Sequence, residues 1–224
     1  MFDIDSTICL SCPLYSLHRT PVPGIGPDSA NIMLIGEAPG ATEDKMHEPF
    51  VGRSGKFLTQ YLQEAGFDRS QLYITNTVKC RPPENATPNA ETRKACQSYL
   101  RSEITAVKPK IIVCVGNSAL KGVWELSDSQ IEMPAKFSDA RGKMFFHGDY
   151  YVLPVFHPSY LLRKHSEDPD SPRGLTRQDF KHLKQIAILL SSSTSGLENL
   201  QRLSDLENLQ RLKDMIEARN SANS

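Results

Sequence analysis

Four short apolar runs punctuate the chain: Asn31–Ile35, Leu72–Thr75, Ile111–Val115 and Tyr151–Phe156. They are rich in strand formers and bounded by turn residues, which predicts strands buried on both faces, as in a parallel sheet. Between them the apolar positions recur with a helical period. Gly55–Ala65 aligns Phe57, Leu58, Tyr61 and Leu62, and Asn89–Val107 aligns Ala95, Tyr99, Leu100 and Ile104 behind a Thr87-Pro88 start. Ser118–Leu126 and Thr176–Leu190 predict two further helices. Strand and helix alternate, so the expected class is α/β: a three-layer α/β/α sandwich with a central, mainly parallel four-stranded sheet.

Beyond residue 190 the pattern changes. SSSTSG (191–196) predicts a linker, and LENLQRL at 197–203 recurs at 206–212, with a leucine at every third position. Three residues advance a helix by about 300°. The stripe therefore winds around the axis and does not form a heptad seam. The expected organisation is a domain over 1–190, a linker over 191–196 and a helical appendage over 197–224. That appendage packs on the body or on a protein partner, and the chain is otherwise expected to be a monomer.

Composition narrows the class. The 224 residues, 39% of them hydrophobic, suffice for one domain with a real core. No apolar run reaches about 18 residues, so no membrane-spanning helix is expected. MFDIDSTICL lacks the basic flank of a signal peptide, which leaves a cytoplasmic location as the expectation. Formal net charge is zero. Locally, residues 1–50 are acidic and residues 79–110 are basic, with Lys79, Arg81, Arg93, Lys94, Arg101, Lys108 and Lys110 against three glutamates. Such a basic segment fits either a surface that follows phosphates or a solvated helix face.

Parallel sheets bind ligands at the carboxyl ends of their strands. Here those ends are Gly36-Glu37, Asn76, Gly116-Asn117 and His157-Pro158. A carboxylate, an amide, a glycine turn and an imidazole are thus predicted to meet in one crevice. The first of these ends opens a loop dense in acids and glycines, GEAPGATEDKMHEPFVGRSGKF (36–57).

The motifs GEAPG-x-x-ED, PFVG-x-x-G, ITN-x-VKCRPP-x-N-x-TP and HPSYLLR, in this order, resemble the uracil-DNA glycosylase superfamily, and most closely its type-4, iron–sulfur-containing branch. The resemblance runs from Cys9 to about Leu190. It implies a uracil-DNA glycosylase-like fold and a DNA repair enzyme of a prokaryotic or phage-like cytoplasm. Such an enzyme cuts the bond between uracil and deoxyribose in DNA and leaves an abasic site. Carried over residue by residue, Glu37 stabilises the oxocarbenium-like sugar and orients water, and His157 donates a hydrogen bond to uracil O2. Asn76 reads the O4 and N3–H edge, Phe50 stacks on the flipped base, and Gly36 and Ala38 bring backbone close. Glu43 orients the water or shapes the wall near C5, and Asn85 matches another polar position. Arg53 and Ser54, between Gly52 and Gly55, hold a phosphate at a helix start. In the SYLLR loop, Ser159 lies on the DNA side, Leu161 or Leu162 enters the vacated stack, and Arg163 touches phosphate. The polar stretch KHSEDPDSPRGL (164–175) that follows is expected to be an exposed loop near the same groove.

Five cysteines are present. Cys9 and Cys12 form a short CLSC knuckle, Cys80 and Cys96 are further apart, and spacing alone does not choose between zinc and iron–sulfur. The resemblance implies that these four hold a [4Fe-4S] cluster, whereas Cys114, in the middle of a strand, is read as an inert buried thiol. The chain departs from its relatives at Met46-His47-Glu48, where they place a glycine before the Pro-Phe pair. That departure puts substrate range in doubt, because His47 lies close to the expected pocket. Two rival readings use the same motifs: a superfamily protein that captures uracil-DNA without turnover, and a protein whose cluster and basic groove only bind nucleic acid or a repair factor.

Overall fold

The computed structural model describes residues 9, 12–14, 20–126, 133–147 and 149–191. The linker and leucine-repeat appendage therefore lie outside the described residues. In chain order the elements are β1 (Ile32–Gly36), α1 (Ala41–Met46), α2 (Arg53–Glu64), β2 (Tyr73–Asn76), α3 (Ala90–Val107), β3 (Ile111–Val115), α4 (Asn117–Trp124), α5 (Phe137–Ala140), β4 (Phe145–His147), β5 (Tyr150–Val155), α6 (Pro158–Leu161) and α7 (Pro172–Ser191). The sheet order is β2-β1-β3-β5-β4. The four expected strands pair in parallel, and β4 adds an antiparallel edge that the sequence pattern does not reveal. Three residues are too few to establish a period of two.

Alternation along each strand divides the core into two slabs. Leu34, Ile74, Val113 and Leu153 point to the α2 and α7 side, where Leu58, Leu62, Phe180 and Leu183 meet them. Met33, Ile35, Ile112 and Val152 point to the opposite side, against Leu100, Leu120 and Val123 of α3 and α4. With both faces covered, the strands read as unbroken apolar runs. Helix α7 starts four residues before the expected Thr176. Ser171 accepts the Gly174 N–H through its hydroxyl, and Pro172 fits the first turn, where no N–H is needed. The segment 172–175 is thus helix, not exposed loop. No helix among the described residues is long and apolar enough to cross a membrane.

A strap from Val22 to Gly26 covers the free edge of β2. Ile25 and Ile74 exchange backbone hydrogen bonds of 2.9 and 2.8 Å, and the Val22 N–H donates to the Lys79 carbonyl at 2.8 Å. Gly26 sits at φ +146°, and a β-carbon there would stand 2.3 Å from the Leu72 carbonyl oxygen. Only glycine allows the strap to lie this close.

Behind the strap is a buried ion pair. Lys79 Nζ donates to Glu103 Oε2 at 2.6 Å, to Thr75 Oγ1 at 2.6 Å and to the Asn76 carbonyl at 2.8 Å. Thr75 Oγ1 donates to the same Glu103 oxygen, and the other oxygen accepts the Gly24 N–H at 3.0 Å. Both charged side chains are at most 2% exposed. All three ammonium protons and both carboxylate oxygens are satisfied, which is the condition under which a buried charge is tolerated. Lys79 accordingly cannot follow a phosphate backbone, and the basic segment is not one continuous surface.

Removing one member of this pair strands the other. Lys79→Met or Glu103→Gln is expected to cost about 3–5 kcal/mol in urea unfolding. The double variant Lys79→Met/Glu103→Leu should lose less than the sum of its parts. It should still fall below wild type, because Thr75, Gly24 and the Asn76 carbonyl keep no partner.

Candidate active site

The parallel register sets the carboxyl ends side by side. Gly36 stands opposite Asn76, and the ladder continues past the strands, with the Thr77 N–H donating to the Gly36 carbonyl and the Val78 N–H to the Glu37 carbonyl. The Thr77 hydroxyl adds a second bond to the Glu37 carbonyl at 2.7 Å. The Glu37 backbone is therefore fixed before its side chain does anything. A cavity of about 370 Å³ opens at this edge. Glu37, Ala38, Glu43, Phe50, Asn76, Asn85 and His157 all line it, as do Arg53, Ser54 and Ser159. The expected carboxylate, amide and imidazole do converge.

Phe50 reaches the cavity through a tight turn. Its backbone is left-handed, at φ +54°, which costs a non-glycine residue about 1–2 kcal/mol. Two contacts hold the turn in place. Arg69 Nη2 donates to the Pro49 carbonyl at 2.7 Å, and Gly55 lets α2 press on the Phe50 backbone, where a β-carbon would come within 1.8 Å of the Phe50 oxygen. Gly36 has the complementary role. A β-carbon there would stand 2.4 Å from Asn76 Oδ1 and 2.5 Å from the Phe50 ring. The absent side chain at Gly36 is what lets ring and amide close into one wall. Arg69 was not among the expected site residues, since its contact is made by position and not by motif.

His157 is held with equal definition. Its Nδ1 accepts the Ser159 N–H at 3.1 Å and lies 2.8 Å from the Ser159 hydroxyl. An amide can only donate, so Nδ1 carries no proton and the ring proton sits on Nε2. Burial, assisted by the positive charge of Arg163, pushes the imidazole down to about 4, so the ring is neutral around pH 7. Its centroid lies 6.3 Å from that of Phe50. Glu37 responds to burial in the opposite sense. Desolvation raises its carboxyl above the ordinary range, and the Ser118 and Thr87 hydroxyls and the charge of Arg93 pull part of the way back.

A profile of the Uracil DNA glycosylase superfamily matches residues 23–187. The chain is 37% identical over 185 residues to the type-4 uracil-DNA glycosylase of Sulfurisphaera tokodaii, covering 80% of each chain. It is 41% identical over 160 residues to that of Pyrobaculum aerophilum, covering 70% of this chain and 80% of the relative. A type-5 uracil-DNA glycosylase from Thermus thermophilus matches at 32%, covering 60% of this chain. The chain belongs to the uracil-DNA glycosylase superfamily, on its type-4 branch.

Against the family motifs, individual residues divide. Glu43 Oε1 accepts the Gly52 N–H at 2.8 Å, so this carboxylate caps α2 from the cavity wall. Asn85 follows Glu84 in two successive left-handed positions, and its Oδ1 accepts from Arg81 at 2.8 Å. Leu161 is not available to a duplex. It is 1% exposed and packs in the α2 side of the core, while its carbonyl accepts from Arg173. Leu162, the next residue, is half-buried at the end of α6, and Arg163 beyond it is exposed. Of the Leu-Leu pair, only Leu162 is left partly open to solvent.

Met46-His47-Glu48 contributes nothing to the cavity wall, and Met46 is 61% exposed. His47 ends α1 at φ +53°, in the region glycine tolerates best. A glycine here would answer a backbone need, and His47 does not line the pocket.

Cys80 and Cys96 are buried in a small cluster with Leu14 and Val78, against which Cys12 and Ala38 pack. Burial pushes the Cys80 thiol up to about 12, with the neighbouring thiols of Cys96, Cys12 and Cys9 adding to the effect. Cys12, Cys80 and Cys96 therefore share one neighbourhood. Among the described residues, no three His, Cys, Asp or Glu side chains stand close enough to hold a single metal ion. Cys114 is fully buried in β3, and burial alone drives its thiol far up, which fits an inert role.

His47→Gly should raise the unfolding free energy by about 1 kcal/mol by relieving the left-handed residue, measured by urea denaturation. Leu161→Ala should lower it by about 2–5 kcal/mol in the same measurement, with Leu162→Ala nearly neutral.

Proposed function

We propose that this chain hydrolyses the N-glycosidic bond of uracil in DNA, releasing free uracil and leaving an abasic site. The observation that carries this reading is the fixed tautomer of His157. A neutral imidazole whose Nε2–H is free to donate lines the same cavity as the carboxylate of Glu37. Breaking the bond from C1′ to N1 leaves positive charge on the sugar and negative charge on uracil O2. The ionised Glu37 stabilises the first and orients the water that attacks C1′, and His157 stabilises the second. A neutral donor suits this task, since it favours the developing anion without transferring its proton.

The remaining roles follow the cavity. Asn76 offers an acceptor to uracil N3–H and a donor to O4, and Phe50 stacks on the base. Gly36 and Ala38 let backbone approach, Glu43 braces the wall through Gly52, and Asn85 forms part of the rim. Arg53 and Ser54 at the start of α2, with Ser159 and Arg163 on the opposite side, face the DNA phosphates, and Leu162 fills the stack that the base vacates.

Cys9, Cys12, Cys80 and Cys96 would hold a [4Fe-4S] cluster. Soft thiol donors suit iron–thiolate ligation, and membership of the type-4 branch supports the iron–sulfur reading over zinc. When bound, the cluster supplies iron–thiolate bonds that staple the N-terminal segment to the segment after Asn76. The hydrolysis itself is carried out by the side chains.

The test is uracil release from a uracil-containing oligonucleotide under multiple turnover. Wild type should release uracil repeatedly, and Glu37→Gln, His157→Ala and Gly36→Ala should each fall by roughly 100-fold or more. Activity requires Glu37 ionised and His157 neutral. The raised Glu37 carboxyl places the acid loss above the usual carboxylate range, while His157 adds no loss until about pH 4. Binding without alkali-labile product in wild type would instead identify a non-turnover uracil-DNA binder. Brown colour and visible absorbance, lost in Cys80→Ala, report on the cluster separately.

A further inference from the structure

A second cavity, of about 240 Å³, shares only Glu37 and His157 with the base pocket. Its other walls come from Thr87 and Arg93, from Gly116 at the β3–α4 turn and from Ser118 and Lys121 on α4. Arg93 stands in this wall as a clamped charge. Its Nε and Nη2 donate to the two Glu125 carboxylate oxygens at 3.2 and 2.7 Å, and its Nη1 donates to the Pro88 carbonyl at 2.9 Å. The side chain is only 12% exposed. These three bonds hold the guanidinium in the cavity wall, and none of them goes to Glu37. The Ser118 hydroxyl is buried in the same cavity wall and, among the described residues, has no hydrogen-bond partner.

We propose that Arg93 is a positioning residue that keeps Glu37 ionised across this second cavity, with the Thr87 and Ser118 hydroxyls orienting the carboxylate. The proposal rests on the glycosylase reading given above. A direct Arg–Glu ion pair would occupy the carboxylate oxygens and cancel the charge that the sugar cation needs. A guanidinium held back by Glu125 and Pro88 leaves those oxygens free, yet still opposes the desolvation that favours the neutral acid. The other charged or titratable groups around Glu37 do not duplicate this. Lys121 is exposed on α4, Arg53 is exposed at the start of α2, Glu43 is spent on the Gly52 N–H, and His157 is neutral.

The experiment is a pH profile of single-turnover uracil release at saturating enzyme, with wild type, Arg93→Met, Arg93→Lys and Thr87→Val. An opposite charge on the wall of the same cavity is worth on the order of one pH unit on a carboxylate. On the acid limb Arg93→Met should therefore be slowed about 10-fold, with its rate recovering as pH rises. Arg93→Lys, which keeps the charge, should hold the wild-type limb. Thr87→Val should move the limb in the same direction as Arg93→Met, and this conservative change gives an answer even where loss of Arg93 prevents folding. A carbon-13 titration of the Glu37 carboxyl carbon should show the same displacement without any turnover. An Arg93→Met rate lowered equally at all pH values, with an unmoved carbon-13 titration, overturns the proposal. Failure of wild type to release uracil would instead overturn the glycosylase reading, and the titration would still decide the role of Arg93.

Discussion

Lys79 and Glu103 meet at the one point where the edge strand, the strap, α3 and the thiol cluster come together. Lys79 grips the end of β2 through Thr75 and the Asn76 carbonyl, and Glu103 reaches across from α3 to hold the strap at Gly24. Cys80 follows Lys79 directly, and Cys96 lies two helical turns before Glu103 on the same helix. The Asn76 amide in the cavity wall is therefore positioned by a buried ion pair, not by apolar packing alone. Such a pair gains little stability over an apolar replacement, but it admits only one arrangement of its partners. For the base pocket proposed above, uniqueness of arrangement would matter more than the energy of the pair.

Much of this was legible from the chain itself. The four parallel strands announced themselves because strands buried on both faces are apolar without interruption. The three polar strand ends followed from the register that such a sheet imposes. Other parts were not legible, for definite physical reasons. β4 is too short to show a period, and α1 buries none of its residues, so neither leaves a hydrophobic signal. Lys79 looked like one more surface cation, because burial of a charge depends on partners at positions 24, 75 and 103 that no local window contains. Leu161 and Leu162 are chemically alike, and only the direction of a four-residue helix separates the core residue from the half-buried one.

The same limit applies to the electrostatics of the site. Motifs name Glu37 and His157 but not their protonation states. Those states arise from burial acting in opposite directions on an acid and a base, from Ser159 two residues past the histidine, and from a guanidinium far along the chain. Gly36 shows how closely backbone and chemistry are joined here. Its missing side chain is a structural requirement of the wall and also the space into which ring and amide fit.

The contrast between the two leucines also bears on how a damaged base is found. Leu161 is locked in the core and Leu162 is the next residue, so in the wedge role proposed above Leu162 would have almost no slack of its own. A stiff probe cannot adapt to the duplex it tests, and the work of opening falls on the nucleic acid. Sites where stacking and pairing are already weak open at least cost. A uracil opposite guanine, the mispair that cytosine deamination creates, would then be favoured over uracil paired with adenine by the softness of the helix, before any contact with the base is made.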